Sequence, residues 1–189
     1  MNNIAIFASG SGTNAENLIR FFRTNPHGRV KLVLSNRRDA MVLERAQKYG
    51  IEAVPFNREE LYKTGKVLGL LKKADIDFIV LAGFLWLVPE DILETYDNKV
   101  VNIHPALLPK YGGKGMYGRH VHEAVIASGD AVSGITIHKV NRLYDEGDIL
   151  FQATCPVEAG ESPDTLAQKV HSLEYEHFPR VVEQLLQEL

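Results

Sequence analysis

Strand-length apolar runs alternate with amphipathic stretches of helical length through most of the chain, and no other feature of the sequence restricts the fold as much. The runs are IAIFA (4–8), KLVLS (31–35), EAVPF (52–56), FIVLA (78–82) and KVVNIH (99–104). Segments at about 14–24, 41–49 and 59–74 read as helices between them, the second ended by Gly50. Parallel strands need crossover connections, and crossover helices cover both sheet faces, so the expected fold is α/β: a doubly wound, mainly parallel, Rossmann-like sheet. FIVLA, apolar throughout, is the expected central strand. After a helix near 119–128, SGITIHKV (133–140) and ILFQATCPV (149–157) predict an antiparallel pair joined by NRLYDEGD. A C-terminal helix is expected from Pro163, with Ser162 as its N-cap.

The chain has 189 residues, enough for a single domain, 1–189, that buries roughly 70% of its unfolded surface. With 45% hydrophobic and 24% charged residues, general disorder is not expected. A net charge of −3 provides no basic face, so the expected partners are small molecules rather than nucleic acid or a membrane. The lone Cys155 allows no internal disulfide and suits a half-buried strand. MNNIAIFASGSG lacks the basic start and long apolar run of a signal segment, so a cytoplasmic protein is expected.

In open parallel sheets ligands collect beyond the C-terminal strand ends, and two segments there carry polar groups of interest. ASGSGTNAEN places Gly10 and Gly12 between a strand and a helix, where backbone N–H groups and the positive helix end can cradle a phosphate. Gly10, Gly12 and Ala15 also satisfy the dinucleotide pattern G-x-G-x-x-A. The acid expected for NAD at the end of the second strand is replaced by Ser35-Asn36-Arg37-Arg38, which leaves NADP open. A tight turn capped by Ser11, Thr13 or Asn14, with no ligand, also fits.

In VVNIHPALLPKYGGKGMYG (100–118), period-two alternation puts Val101 and Ile103 on one face and Val100, Asn102 and His104 on the other. Pro105 ends the strand and presents the imidazole at the rim, where an amide and an imidazole suit oxyanion binding and acid–base work. A strand-end cap and a satisfied rim histidine fit equally. Leu108-Pro109 is a second stiff joint that admits a cis bond. His120 and His122 lie on different faces of their helix, and no HExxH, CxxC or GxSxG pattern occurs, so neither a metal nor a serine nucleophile is expected.

SGSGTN, VLAGF, NIHPALLPKY and YDEGDILFQ, in this order, resemble the formyl transferases that use 10-formyltetrahydrofolate, and among them the glycinamide ribonucleotide branch of purine synthesis. The resemblance covers practically the whole chain. It implies that a formyl group passes from 10-formyltetrahydrofolate, as cosubstrate, to a ribonucleotide amine through a tetrahedral intermediate, in a monomer or homodimer without metal. It assigns catalysis to Asn102, a protonated His104 and Asp145, although Asp145 alone reads as a turn residue. It places the substrate phosphate on Gly12, Thr13 and Asn14, and the glycinamide end on Glu174. Folate contacts fall on Arg58, Leu85, Trp86, Leu87, Val88 and Asn102; by pattern alone Trp86 also suits the core. Two departures stand out: the glycine-rich stretch from Lys114 to Gly118, and Glu146 where relatives carry glycine.

Overall fold

β1 (Asn2–Phe7) and β4 (Phe78–Leu81) run side by side at the middle of a seven-stranded sheet, in a computed structural model that describes residues 1–189. β2 (Gly28–Ser35) and β3 (Glu52–Pro55) extend the sheet on one side, and β5 (Val100–His104), β6 (Val132–Lys139) and β7 (Ile149–Pro156) on the other, giving the order β3-β2-β1-β4-β5-β6-β7. β1 to β5 are parallel, and β6 and β7 pair antiparallel, as the alternation predicts. The chain leaves β1 toward β2 and later returns to β4 on the other side. A crevice therefore opens beyond the C-terminal ends of β1 and β4, the position where open α/β sheets bind ligands.

Both faces are covered. α1 (Thr13–Phe22), α2 (Met41–Lys48), α6 (Arg119–Ser128) and α7 (Pro163–Gln187) bury the larger core with Ile4, Ile6, Val80 and Val101 of the strands. α3 (Arg58–Tyr62), α4 (Lys66–Lys73) and α5 (Glu90–Thr95) cover the other face, against Ala5, Phe7, Ile79 and Val100. Val101 and Val100 thus enter opposite cores, which is the alternation read along β5. Ser162 caps α7 by accepting from the Thr165 N–H at 3.2 Å. Leu108-Pro109 is cis. No helix is long and apolar enough to cross a membrane.

Two local expectations change. The single helix expected over 59–74 is two, α3 and α4, because Gly65 adopts φ +68 and breaks the ladder between them. An Asn57–Glu60 capping box starts α3. α5 was not expected; it starts directly after Pro89 with two acidic residues in its first turn, a favourable charge at a helix N-terminus.

Candidate active site

The crevice is a cavity of 810 Å³, within the range that holds a small-molecule ligand. The glycine turn forms one end. Gly12 has φ +74, and a Cβ there would lie 2.4 Å from the Val42 side chain, so the close approach of α2 requires glycine. Gly10 meets no such constraint, having open space where a Cβ would go; its missing side chain leaves the cavity floor bare. Arg45 of α2 fastens the turn by donating to the Ser11 carbonyl at 2.7 Å and pairing with Glu16. α1 starts at Thr13, so the N–H groups of its first turn stand outside the helical ladder at the cavity wall.

Glu174 sits beside this turn and is only 4% exposed. Its Oε2 accepts from Asn14 Nδ2 and from His171 Nδ1, both at 2.9 Å. The bond to Glu174, opposed by burial, raises the His171 pKa and favours the charged ring beside the glycine turn. Asn14 Oδ1 and His122 Nδ1 are buried without protein partners, and both residues line the cavity. His171 is not singled out in the sequence and His122 only as a rejected metal ligand; helical spacing from Glu174 points to His171.

The predicted trio converges at the centre. Asp145 Oδ2 lies 3.6 Å from His104 Nδ1, and its Oδ1 lies 3.5 Å from Asn102 Nδ2. Asp145 adopts φ +57 and is pinned by the Gly113 N–H, which donates to Oδ2 at 3.0 Å. The glycine-rich stretch after Tyr111 therefore helps hold the carboxylate as well as walling the cavity. Gly147 is equally constrained: a Cβ there would lie 1.7 Å from the Lys139 carbonyl oxygen.

His138, unremarked in the sequence, completes the cluster. Antiparallel register places it opposite Asn102, and it is 2% exposed. Its Nδ1 faces the Lys139 carbonyl at 2.8 Å; a carbonyl only accepts, so Nδ1 carries the proton. In the neutral ring Nε2 then accepts from Asn102 Nδ2 at 3.1 Å, which fixes the amide orientation. One Asn102 N–H is thereby committed, and the other faces Asp145 and the cavity.

Burial opposes ionisation of Asp145, but the His138 and His104 imidazoles in their protonated forms, with the Gly113 N–H, outweigh it and hold the carboxyl below the usual aspartate range. For His104, 3% exposed, the balance goes the other way. Burial pushes its pKa below the ordinary histidine value, although Asp145 and the Tyr111 carbonyl both raise it. Burial thus biases the His104 ring toward its neutral form, while Asp145 and the Tyr111 carbonyl favour the charged one.

The other end of the cavity holds Trp86, half-buried, with the Arg58 guanidinium 4.7 Å above its ring and Phe56 and Tyr62 around it. Leu85 is exposed at the rim. Leu87 and Val88 do not line the cavity. Val88, 4% exposed, packs into the core with α5, and the Leu87 carbonyl accepts from the Tyr62 hydroxyl at 2.8 Å. The Val88 side chain is taken up by the core, whereas the Leu87 side chain is half-buried. Arg37 of the dinucleotide reading is paired with Asp39 at 3.2 Å.

A doubly wound sheet with an amide, an imidazole and a carboxylate at its crevice defines a small-molecule transferase site, and residues 2–182 match the formyl transferase family model: the chain belongs to that family. Phosphoribosylglycinamide formyltransferase of Bacillus subtilis is 30% identical over 98% of this chain and 95% of its own length. The chloroplastic phosphoribosylglycinamide formyltransferase of Vigna unguiculata is 37% identical over 98% of this chain, which spans 61% of that protein. Among solved structures, glycinamide ribonucleotide transformylase 1 from Symbiobacterium toebii superposes with a TM-score of 0.90 at 31% identity, covering 100% of this chain and 89% of that one.

Proposed function

We propose that this chain transfers the formyl group of 10-formyltetrahydrofolate to the amine of glycinamide ribonucleotide in purine biosynthesis. The observation that carries this reading is the meeting of Asn102, His104 and Asp145 midway between an anion cradle and an aromatic slot in one cavity. The phosphate rests on the Gly12–Asn14 turn, and Glu174, already oriented by Asn14, receives the glycinamide end. The folate lies toward Arg58, Leu85 and Trp86, with backbone groups of Leu87 and Val88 in reach of its ring. Both substrates are bound together, and this juxtaposition alone supplies several kcal/mol, by the usual magnitude for oriented reactants.

The amine attacks the formyl carbon, forming the new C–N bond and a tetrahedral intermediate. The Asn102 amide stabilises its oxyanion. His104 takes the amine proton at Nδ1, and the resulting imidazolium, flanked by Asp145, adds to that stabilisation. Collapse breaks the bond to N10 of the folate, which receives the proton. Burial disfavours the charged ring of His104, which suits it to accept that proton first and return it later.

Incubation with glycinamide ribonucleotide and 10-formyltetrahydrofolate tests the reading: formylated ribonucleotide and tetrahydrofolate should appear in equal amounts. Their absence, with both substrates bound, would overturn it. The pH dependence tests the role of Asp145. Its carboxylate raises the His104 pKa, so Asp145→Asn should lower that pKa and move the acidic limb of kcat/KM to lower pH. An unmoved limb contradicts the role.

A further inference from the structure

We propose that Tyr111 is a positioning residue for His104: its backbone carbonyl holds the Nε2 hydrogen of the imidazole, and its phenol, anchored at Asp130, holds that carbonyl in place. The inference deepens the proposed function, since it rests on His104 as the acid–base group of that reaction.

The carbonyl oxygen of Tyr111 lies 2.7 Å from His104 Nε2. A carbonyl can only accept, so Nε2 must carry the hydrogen and the free lone pair of the neutral ring falls on Nδ1. Nδ1 is the nitrogen that faces Asp145 Oδ2 at 3.6 Å. Asp145, His138 and Glu174 also act on His104 by charge, but the bond that selects its tautomer comes from Tyr111. Without this bond the hydrogen could sit on either nitrogen, and the ring would present an N–H to the amine half-formed for the wrong transfer.

Tyr111 adopts φ +57 to make this contact. That backbone region penalises any residue with a Cβ, and glycine is its default occupant. Two glycines follow at once, at 112 and 113, yet the left-handed position is given to a tyrosine. Its side chain accounts for the choice. The ring packs against the larger core, and the phenol oxygen lies 2.6 Å from both Asp130 Oδ2 and Ser128 Oγ. The Ser128 hydroxyl already donates to the Val125 carbonyl at 2.7 Å, so the single phenol hydrogen is shared between two acceptors, of which the carboxylate is the stronger. Lys110 Nζ, 3.0 Å from the same carboxylate oxygen, completes the anchor. The phenol first and Lys110 second hold the Asp130 carboxyl below its ordinary range. The anchor residues belong to the loop after β5 and to the end of α6 and the residues just beyond it, and none of them lines the cavity.

The test reads the tautomer directly. Long-range ¹H–¹⁵N correlation spectra of the wild-type protein should give His104 as the Nε2–H form. In Tyr111→Phe the two tautomers should mix, with kcat falling about ten- to a hundredfold, part of the roughly 10²- to 10⁴-fold that a positioned acid–base group contributes, and with KM for both substrates little changed. The double variant Ser128→Ala/Asp130→Ala, which leaves the phenol without either partner, should act in the same direction if Tyr111→Phe fails to fold. A single Nε2–H tautomer with unchanged kcat in a folded variant overturns the proposal, even if its Tm has dropped. Normal turnover in His104→Ala would instead remove the reading on which it rests, whatever the tautomer.

Discussion

His104→Ala should lower kcat about 10²- to 10³-fold, the usual cost of removing one stabilising group from a transition state, while glycinamide ribonucleotide still binds. The imidazole lies between the Tyr111 carbonyl at 2.7 Å and the Asp145 carboxylate at 3.6 Å. No hydrogen bond joins it to the glycine turn or Glu174, so ribonucleotide binding at the sites proposed there should not depend on it. Asn102→Ala should lose most turnover as well, for the other half of the oxyanion's support. The two losses should not add. Both groups meet at Asp145, and residues in one hydrogen-bonded cluster fail together. Loss of the ring also leaves the Tyr111 carbonyl unpaired, which costs about 1–3 kcal/mol of stability for a buried group. The steady-state rate and a calorimetric substrate titration, measured on the same preparation, separate the effects. Near-normal turnover in either variant would end the assignment.

Gly12→Ala should combine a stability loss with a loss of ribonucleotide affinity. At φ +74 an alanine costs about 1–2 kcal/mol in backbone conformation alone. Its Cβ would lie 2.4 Å from Val42 Cβ and 2.7 Å from Val42 Cα, the latter an atom of the α2 backbone that cannot rotate away. Forcing α2 outward adds an overpacking cost of about 1–3 kcal/mol. For a domain of this size each kcal/mol shifts Tm by about 2–4 °C, so a fall of roughly 4–20 °C is expected in a thermal melt. The same movement should pull Arg45 from the Ser11 carbonyl and disorder the N–H groups proposed to meet the phosphate. KM for the ribonucleotide should therefore rise while KM for the folate stays near wild type. Gly10→Ala makes the control, because a Cβ there meets nothing within 4 Å and its φ is ordinary. Its stability should be nearly unchanged, although the added methyl intrudes on the cavity floor. An unaltered melt for Gly12→Ala would contradict the packing argument.

How much of this was legible along the chain depends on the range of the physics involved. Period-two alternation placed Asn102 and His104 on one face, and Pro105 placed that face at the strand end. β5 keeps both features, since pleat and proline sterics act over one or two residues. The glycine turn was legible for the same reason. The break at Gly65 was missed because a single glycine inside a helical pattern is compatible with either outcome until the surrounding chain selects one. That the Val88 side chain packs into the core was not legible, because an apolar residue after a central strand serves a pocket or a core equally well until α5, itself unforeseen, covers it.

The sequence by itself determined the doubly wound sheet, its crevice, the anion turn and the shared face of Asn102 and His104, all consequences of local sterics and hydrophobic period. Only the tertiary structure decided that the antiparallel register of β5 and β6 sets His138 against Asn102. It also decided that Glu174, 160 residues away in the chain, meets Asn14. The charge of His104 belongs to the same class. A neighbouring carboxylate was expected to raise its pKa, and does, but burial outweighs it, and burial is a property of everything packed around the ring rather than of the residues beside it in the chain.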